Sequence, residues 1–514
     1  MKKRLSRTLK ETLFLEEGFF ARLEDLPNQI AQGHQQQARA EEELRAELAQ
    51  LKDTLQEERE TWQRTARELN ERAQAQTEAM RQELLHAIDE LRETTNLIAR
   101  RITLRPNKIK CLMLVHHIEA WDSLAGVHAA MQESPDFQVT VASIPRRFPG
   151  AIHFENEDQI DARLTALGVE HIRLGFEDDA VSLGIVKAIN PDIIFRQSQW
   201  DDDVQPAFAT ASLSFARLCF VPYEAMNLVQ NVQTDENVID SATDTVFHRA
   251  CWMIFCANEQ ARQQAVAHGA LSGEQFHATG HPKGDRLRTA KPSWPIKARG
   301  RPRPLRIIWS AHHSIDDDWT RFGLFPRIAQ DMLGWARTRT DVDIVFSPHP
   351  ALLTQLQNDS PYMPHRQSEA FFSDWNALPN TAIFTGGHYG PLFQASDLLM
   401  TDGVSWLVEY QLANKPLLFL ERDGHVAFNE IGERVLQGVH RVTSIDQAMQ
   451  LADAIGNPDY EDPLAGTQQQ IVDELFGRPQ ASRRILDAIR AKVREELGLN
   501  PKRLEPRGSE WPIA

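Results

Sequence analysis

From about Gln35 to Arg100 the apolar positions keep a helical beat. Leu44, Leu48, Leu51, Leu55, Trp62 and Leu69 are spaced by three- and four-residue steps or their multiples. After a phase slip near Ala73, Met80, Leu84, Ala87, Leu91 and Ile98 resume the pattern. Between the apolar positions stand Ala, Glu, Gln and Arg, with no Pro or Gly after Gly33. Sustained heptads with charged flanks predict a coiled coil over residues 31–104, and the slip reads as a stutter. At 1.5 Å per residue such a rod is on the order of 100 Å long. A lone helix with this seam exposes a continuous apolar stripe, so homo-oligomerisation is expected. Residues 1–30 differ: a basic start (Lys2, Lys3, Arg4, Arg7, Lys10) leads into an amphipathic stretch from Leu13 to Leu23. Basic residues beside aromatics suit an anionic membrane surface. Packing on the protein's own oligomer is the slightly favoured reading, because Glu16, Glu17 and Gly18 work against a peripheral membrane contact.

Past Pro106 the period changes. Short apolar runs (Lys110–Val115, Val139–Val141, His171–Leu174, Asp192–Phe195, Leu218–Val221, Trp252–Cys256) alternate with helical patterns at Asp122–Gln132, Ile160–Leu167, Ala180–Ile189 and Glu259–His268. Strands alternating with helices predict βα units around a parallel sheet, here spanning 105–290. The Pro/Arg-rich stretch 291–304 reads as a linker. A second alternation spans 305–480. Its strands are Leu305–Ser310, Asp343–Phe346, Thr381–Phe384, Leu398–Thr401 and Leu417–Leu420, and its helices lie at Phe325–Thr338, Glu369–Leu378, Pro391–Ala395, Trp406–Ala413 and Ile445–Ile455. Residues 481–514 hold a last helix near Ser482–Leu497 and a polar tail with Pro501, Pro506 and Pro512. The expected fold class is α/β: two Rossmann-like domains preceded by a long α-helical coiled coil. Two such domains present their strand ends across a cleft.

Composition narrows the function. The net charge of -16 argues against nucleic acid as a partner. No apolar run reaches the roughly 18 residues of a membrane span, and no secretory signal is expected. The four cysteines (Cys111, Cys219, Cys251, Cys256) sit in apolar runs without a CxxC pair, which predicts buried reduced thiols in a cytoplasmic protein.

The second alternation ends its strands in chemistry-bearing residues. His312-His313-Ser314 follows its first strand, Ser347-Pro348-His349-Pro350 the second, Gly386-Gly387-His388 the third and Asp402-Gly403-Val404-Ser405 the fourth. Ligands of open α/β sheets sit outside the carboxyl ends of the strands. The strand, turn and helix of 398–410 also put free N–H groups at that edge. Together these ends make a pocket for a diphosphate-bearing nucleotide, with Glu409, one turn into the helix, placed to take ribose hydroxyls. The plain alternative is an ordinary β–turn–α unit capped by Asp402 or Ser405. HxxH and HExxH spacings are absent and no carboxylates are arranged as ligands, so neither a metal nor a cofactor is expected.

These residues resemble a family. Thr279-Gly280-His281-Pro282-Lys283-Gly284-Asp285 is similar to the G-x-P-R-x-D signature of the CDP-glycerol glycerophosphotransferases, the teichoic-acid polymerases and primases. Ile308–His313 looks like their strand ending in a polar turn, Ser347-Pro348-His349-Pro350 like their HP dipeptide, and Thr401–Ser405 with Glu409 and Lys415-Pro416 like their T-D-x-S-S block. The order agrees from about residue 250 to 430. The resemblance implies a GT-B fold with the activated nucleotide held mainly by the C-terminal domain. It also implies transfer from a CDP-polyol or nucleotide sugar to a cell-surface glycan or lipid-linked acceptor. His349 would then contact the donor diphosphate or assist its departure, without metal, and Asp402, Ser405 and Glu409 would line the nucleotide site. One motif departs. Where the family carries an H-G-T-P-type base in its first domain, this chain reads Val221–Asn227. Replacement bases are Glu224, which follows an apolar strand, His116, His117, or the cluster Asp201–Asp203, which otherwise reads as a solvated turn. The expected function is thus a GT-B transferase building a bacterial capsule, lipopolysaccharide or teichoic acid-like polymer at the inner face of the cytoplasmic membrane. The alternative is a non-catalytic coiled-coil scaffold carrying a degenerate transferase domain.

Overall fold

The structure, a computed structural model, describes residues 2–103, 108–147, 151–230, 240–298, 303–316, 320–357, 359–477 and 479–496. Pro106, residues 299–302 of the linker and the tail from Leu497, with Pro501, Pro506 and Pro512, lie outside them. So do the side chains of Leu13, Phe14, Leu15 and Phe20, on which the amphipathic reading rests. The chain divides into two compact units, 1–99 and 100–514.

The first unit is helical. A single helix, α1 (Lys2–Thr103), carries both the amphipathic start and the heptads, with Pro27 inside it. The expected boundary at residue 30 is therefore no break in the backbone, although a helix-interior Pro costs about 3 kcal/mol. The seam residues Leu44, Leu48, Leu51, Leu55, Trp62, Leu69, Met80, Leu84 and Leu91 are all exposed on the single chain, Trp62 by 73%.

In the second unit, strands and helices alternate as the sequence predicts. The first lobe contains β1 (Ile109–Val115), α2 (Asp122–Glu133), β2 (Phe137–Ser143), α3 (Glu157–Ala166), β3 (Ile172–Arg173), α4 (Asp179–Ile189), β4 (Ile193–Arg196), β5 (Arg217–Phe220), α5 (Val246–Ala250), β6 (Cys251–Cys256), α6 (Glu259–His268), β7 (Phe276–Ala278) and α7 (Pro282–Thr289). The second lobe contains β8 (Leu305–Ala311), α8 (Phe325–Thr338), β9 (Val342–Pro348), α9 (Pro350–Leu356), α10 (His365–Ala377), β10 (Thr381–Ile383), α11 (Gly390–Ala395), β11 (Leu398–Thr401), α12 (Ser405–Glu409), β12 (Leu417–Leu420), α13 (Glu430–Leu436), β13 (His440–Val442), α14 (Ile445–Ile455), α15 (Ala465–Leu475) and the closing helix α16 (Ala481–Glu496).

Both sheets are parallel and doubly wound, in the orders β3-β2-β1-β4-β5-β6-β7 and β10-β9-β8-β11-β12-β13. Each reverses direction beside its first strand, between β1 and β4 and between β8 and β11. Such switch points open a crevice at the carboxyl ends. The central strands are buried on both faces, which is why they read as unbroken apolar runs. Strands β7 and β13 escaped the sequence reading because they are three-residue edge strands carrying His277 and Arg441 in place of an apolar run.

One face of the second sheet packs Trp309, Phe325, Phe346, Phe371 and Trp375 into a single aromatic cluster. Its other face shares a core with Met226, Leu228 and Leu287 of the first lobe. Helix α16 crosses back to the first lobe, where Ile485, Leu486 and Ile489 join the core beneath β1 and α2. Asp285 of α7 receives the amides of Gln480 and Ala481 at 2.8–3.0 Å and fixes the start of that return. All four cysteines are buried and free.

Candidate functional site

Histidine ends the central strands of both lobes. In the second lobe His312 and His313 follow β8 and His349 follows β9. The rings of His312 and His313 lie 4.3 Å apart, and those of His313 and His349 4.4 Å apart. In the first lobe His116 and His117 follow β1, with rings 4.3 Å apart. His117 is near enough to His349 for its charge to oppose protonation there. The carboxyl ends of β1 and β9 therefore lie close to each other, with His117 and His349 as the histidines that meet across the space between the lobes.

The histidines are held by a shared device. His349 accepts the amide of Ala351 at Nδ1 (3.2 Å), and His312 accepts the amide of Ser314 at Nδ1 (3.2 Å). His281, at the end of β7, accepts the amide of Lys283 in the same way (3.2 Å) and donates from Nε2 to the carbonyl of Pro222 (2.8 Å). An imidazole that accepts at Nδ1 keeps its proton on Nε2 when neutral. Burial, with neighbouring imidazoles, holds His349 well below the ordinary histidine value, and burial lowers His312 to about 3. At neutral pH both are therefore uncharged donors through Nε2.

Asp402 does not line the cleft as a nucleotide ligand would. It is buried, and its carboxylate accepts the amides of His312 and Leu324, both at 2.6 Å. It positions the His312 turn and the start of α8. Neither Asp402 nor Ser405 caps α12. The cap position is Val404, without a side-chain bond, and the helix proper is only five residues long, which weakens its dipole as an anion site. Ser405 is half-buried on its first turn, and Gly403 folds its amide back to the Thr401 hydroxyl (2.8 Å). Ser314 is also interior, its hydroxyl receiving the amide of Phe322 (2.9 Å), and Ser347 is buried next to the last residue of β9.

Glu409, expected at the ribose, is wholly buried. One oxygen pairs with Lys283 Nζ at 3.0 Å and the other accepts the Tyr389 hydroxyl. Lys283 comes from the first lobe, so this is a buried ion pair across the seam. Lys283 also donates to the Tyr223 carbonyl (2.6 Å). Glu224 sits beside the pair: desolvation raises its pKa to about 7, against the pull of Lys283 and with the push of Glu409. It is half-buried and keeps the environment of a base. His388 also serves the seam, its Nδ1 2.8 Å from Asp122, which in turn pairs with Arg286 at 3.0 Å. Gly386 and Gly387 carry the chain past the first lobe; a Cβ on Gly387 would lie 2.3 Å from the Cα of Glu119.

In the first lobe His116 is fully buried and neither ring nitrogen has a partner; burial depresses its pKa further than any charged neighbour does. That placement removes it as an accessible base. His117 is better placed, its Nε2 3.4 Å from Asp203 Oδ2. In the Asp201–Asp203 turn Asp202 is open to solvent, Asp201 partly so, and Asp203 is mostly buried. Asp201 pairs with Arg196 (2.6 Å), and Asp203 also accepts the Ser198 hydroxyl (2.6 Å). Counter to the sequence expectation, two histidines and a carboxylate do converge here, with ligand atoms within 4.8 Å of one another. No local motif announces them, since Asp203 lies 86 residues from His117.

Solved structures share this architecture. The wall teichoic acid polymerase TagF, as a variant, superposes with a TM-score of 0.51 at 14% identity, over 80% of this chain and 99% of that one. UDP-GlcNAc 2-epimerase from Neisseria meningitidis bound to UDP-GlcNAc gives 0.48 at 13% identity, over 74% of this chain and all of that one. The S. aureus MnaA-UDP co-structure gives 0.48 at 13% identity, over 78% and 100%. The chain has the GT-B fold. No protein-family model and no curated protein sequence matches it. No helix among the described residues is long and apolar enough to cross a membrane.

Proposed function

We propose that this GT-B chain moves a sugar or polyol phosphate from a nucleotide-activated donor, a CDP-polyol or a nucleotide sugar, to a bacterial cell-surface polysaccharide. The observation that carries this reading is the pair His312 and His349 at adjacent strand ends, each accepting an amide at Nδ1, which leaves the proton of the neutral ring on Nε2. Such donors neutralise charge developing on a leaving diphosphate without needing to change protonation state. The polymerase TagF shares the fold, and four sequence motifs resemble those of the glycerophosphotransferases. The donor nucleotide would lie over the ends of β8, β9 and β11. The acceptor would enter from the β1 side, near His117, Asp203 and Glu224, in place of the family's first-domain histidine. The exposed heptad seam of α1 would gather copies of the enzyme.

One observation favours the scaffold alternative. Asp402 and Glu409, two residues that the resemblance assigns to the nucleotide, are engaged in internal contacts. A thermal-shift series with CDP, CMP, UDP and GDP separates the readings, because a ligand that binds only the native state stabilises it. We expect at least one nucleotide to raise Tm. His349→Ala should retain the wild-type fold and lose turnover by about 10²–10³-fold, the usual loss for one charge-stabilising donor. Flat melting curves with all four nucleotides would leave the scaffold.

A further inference from the structure

We propose that His116, His117 and Asp203 bind one divalent transition-metal ion at the carboxyl end of β1, on the first-lobe side of the cleft. Their ligand atoms lie within 4.8 Å of one another. The 3.4 Å between His117 Nε2 and Asp203 Oδ2 suits two ligands each about 2.0–2.2 Å from a common ion. The independent observation is His116. It is 0% exposed, yet neither Nδ1 nor Nε2 has a hydrogen-bond partner. A buried imidazole normally has at least one, and a cation supplies it.

The surroundings are built rather than loose. Gln197 accepts the backbone amides of both His116 (3.0 Å) and His117 (2.9 Å) at one oxygen and fixes the turn that presents the rings. Ser198 donates to Asp203 at 2.6 Å, the kind of outer contact that orients a ligating carboxylate. Arg146 and Arg196 also face His116 and oppose a cation. Each is matched by its own carboxylate, Arg146 by Glu119 at 2.7 Å and Arg196 by Asp201 at 2.6 Å, which leaves the charge of Asp203 for the ion. His349, across the cleft, is neutral. Two imidazoles and one carboxylate with open positions suit Zn²⁺, Fe²⁺, Co²⁺ or Mn²⁺ in preference to Mg²⁺ or Ca²⁺.

The catalytic use of the ion rests on the transferase reading; its binding does not. An acceptor hydroxyl on the ion would ionise more readily. Its O–H bond breaks and the proton passes to water. The acceptor oxygen bonds to the transferred carbon or phosphorus, and the donor's bond to the nucleotide oxygen breaks, the nucleotide keeping the electron pair. This supplies the acceptor activation that the missing first-domain histidine would otherwise provide.

The test uses the full, tag-free chain, stripped with EDTA and dialysed against Zn²⁺ or Co²⁺. We expect about one ion per chain by elemental analysis, and Co²⁺ d–d bands that bleach when Zn²⁺ is added. His117→Ala and Asp203→Asn, at the partly exposed side of the cluster, should bind at least about tenfold more weakly, with unchanged circular dichroism. Retention well below one ion by the wild type, undiminished binding in both variants, or loss caused by His313→Ala instead would each overturn the assignment. Nucleotide-induced shifts in the metal-free chain are read separately, so this site and the donor site fail independently.

Discussion

At the scale of single residues, the site depends on how burial sets protonation. Histidines capped through Nδ1 are legible only in part. The His-Pro and His-His pairs mark strand ends, but the amide each ring accepts depends on the turn that follows. Glu224 is the complementary case. Its apolar lead-in marked it as a base candidate, whereas its nearness to Lys283 and Glu409, from remote segments, could not be read from the chain. With its pKa raised from 4.5 to about 7, the folded protein holds a proton between those values that the unfolded chain has lost. Stability from this group is thus full below about pH 4.5 and is lost as pH rises through 7. Glu224→Gln should flatten the Tm-versus-pH curve across that window. Melting curves at half-unit pH intervals check this, and an unchanged slope would place Glu224 in water.

Among elements, the central strands and most helices could be read from period and composition, because strands buried on both faces leave unbroken apolar runs. The loops between lobes could not. The sequence showed Gly386-Gly387-His388 as a strand end facing a ligand, whereas the structure spends it on the seam: Gly387 meets Glu119, and His388 meets Asp122. A second glycine does the same, since a Cβ on Gly432 would stand 2.1 Å from the carbonyl of Leu228. The motif Thr279–Asp285 is likewise a joint, through Lys283, which reaches Glu409, and Asp285, which holds the start of α16. Gly387→Ala should force backbone against backbone at a cost of about 1–3 kcal/mol. The expected outcome is faster amide exchange over residues 117–122 with the far β10–β9 pairing unaffected. Unchanged exchange at both places would mean that the seam is not held there.

For the whole molecule, the heptads announced the long helix, but the boundary expected at residue 30 is not a break, because the helix begins at Lys2 and runs through Pro27. Leu48 and Leu55 are exposed on the single chain, and a second copy of the helix would cover them if the heptads pair as proposed. Leu48→Glu with Leu55→Glu should reduce the mass seen by multi-angle light scattering from a multiple of 58.5 kDa toward that value. A wild-type chain already at 58.5 kDa would remove the oligomer.

The transferase reading requires that the carboxyl ends of β8 and β9 receive a nucleotide diphosphate. A crystal structure of the full chain with CDP or UDP tests this most directly. Diphosphate oxygens are expected within hydrogen-bonding distance, about 2.7–3.2 Å, of the Nε2 atoms of His312 and His349. A nucleotide seated elsewhere, with those nitrogens facing only protein or water, would contradict it.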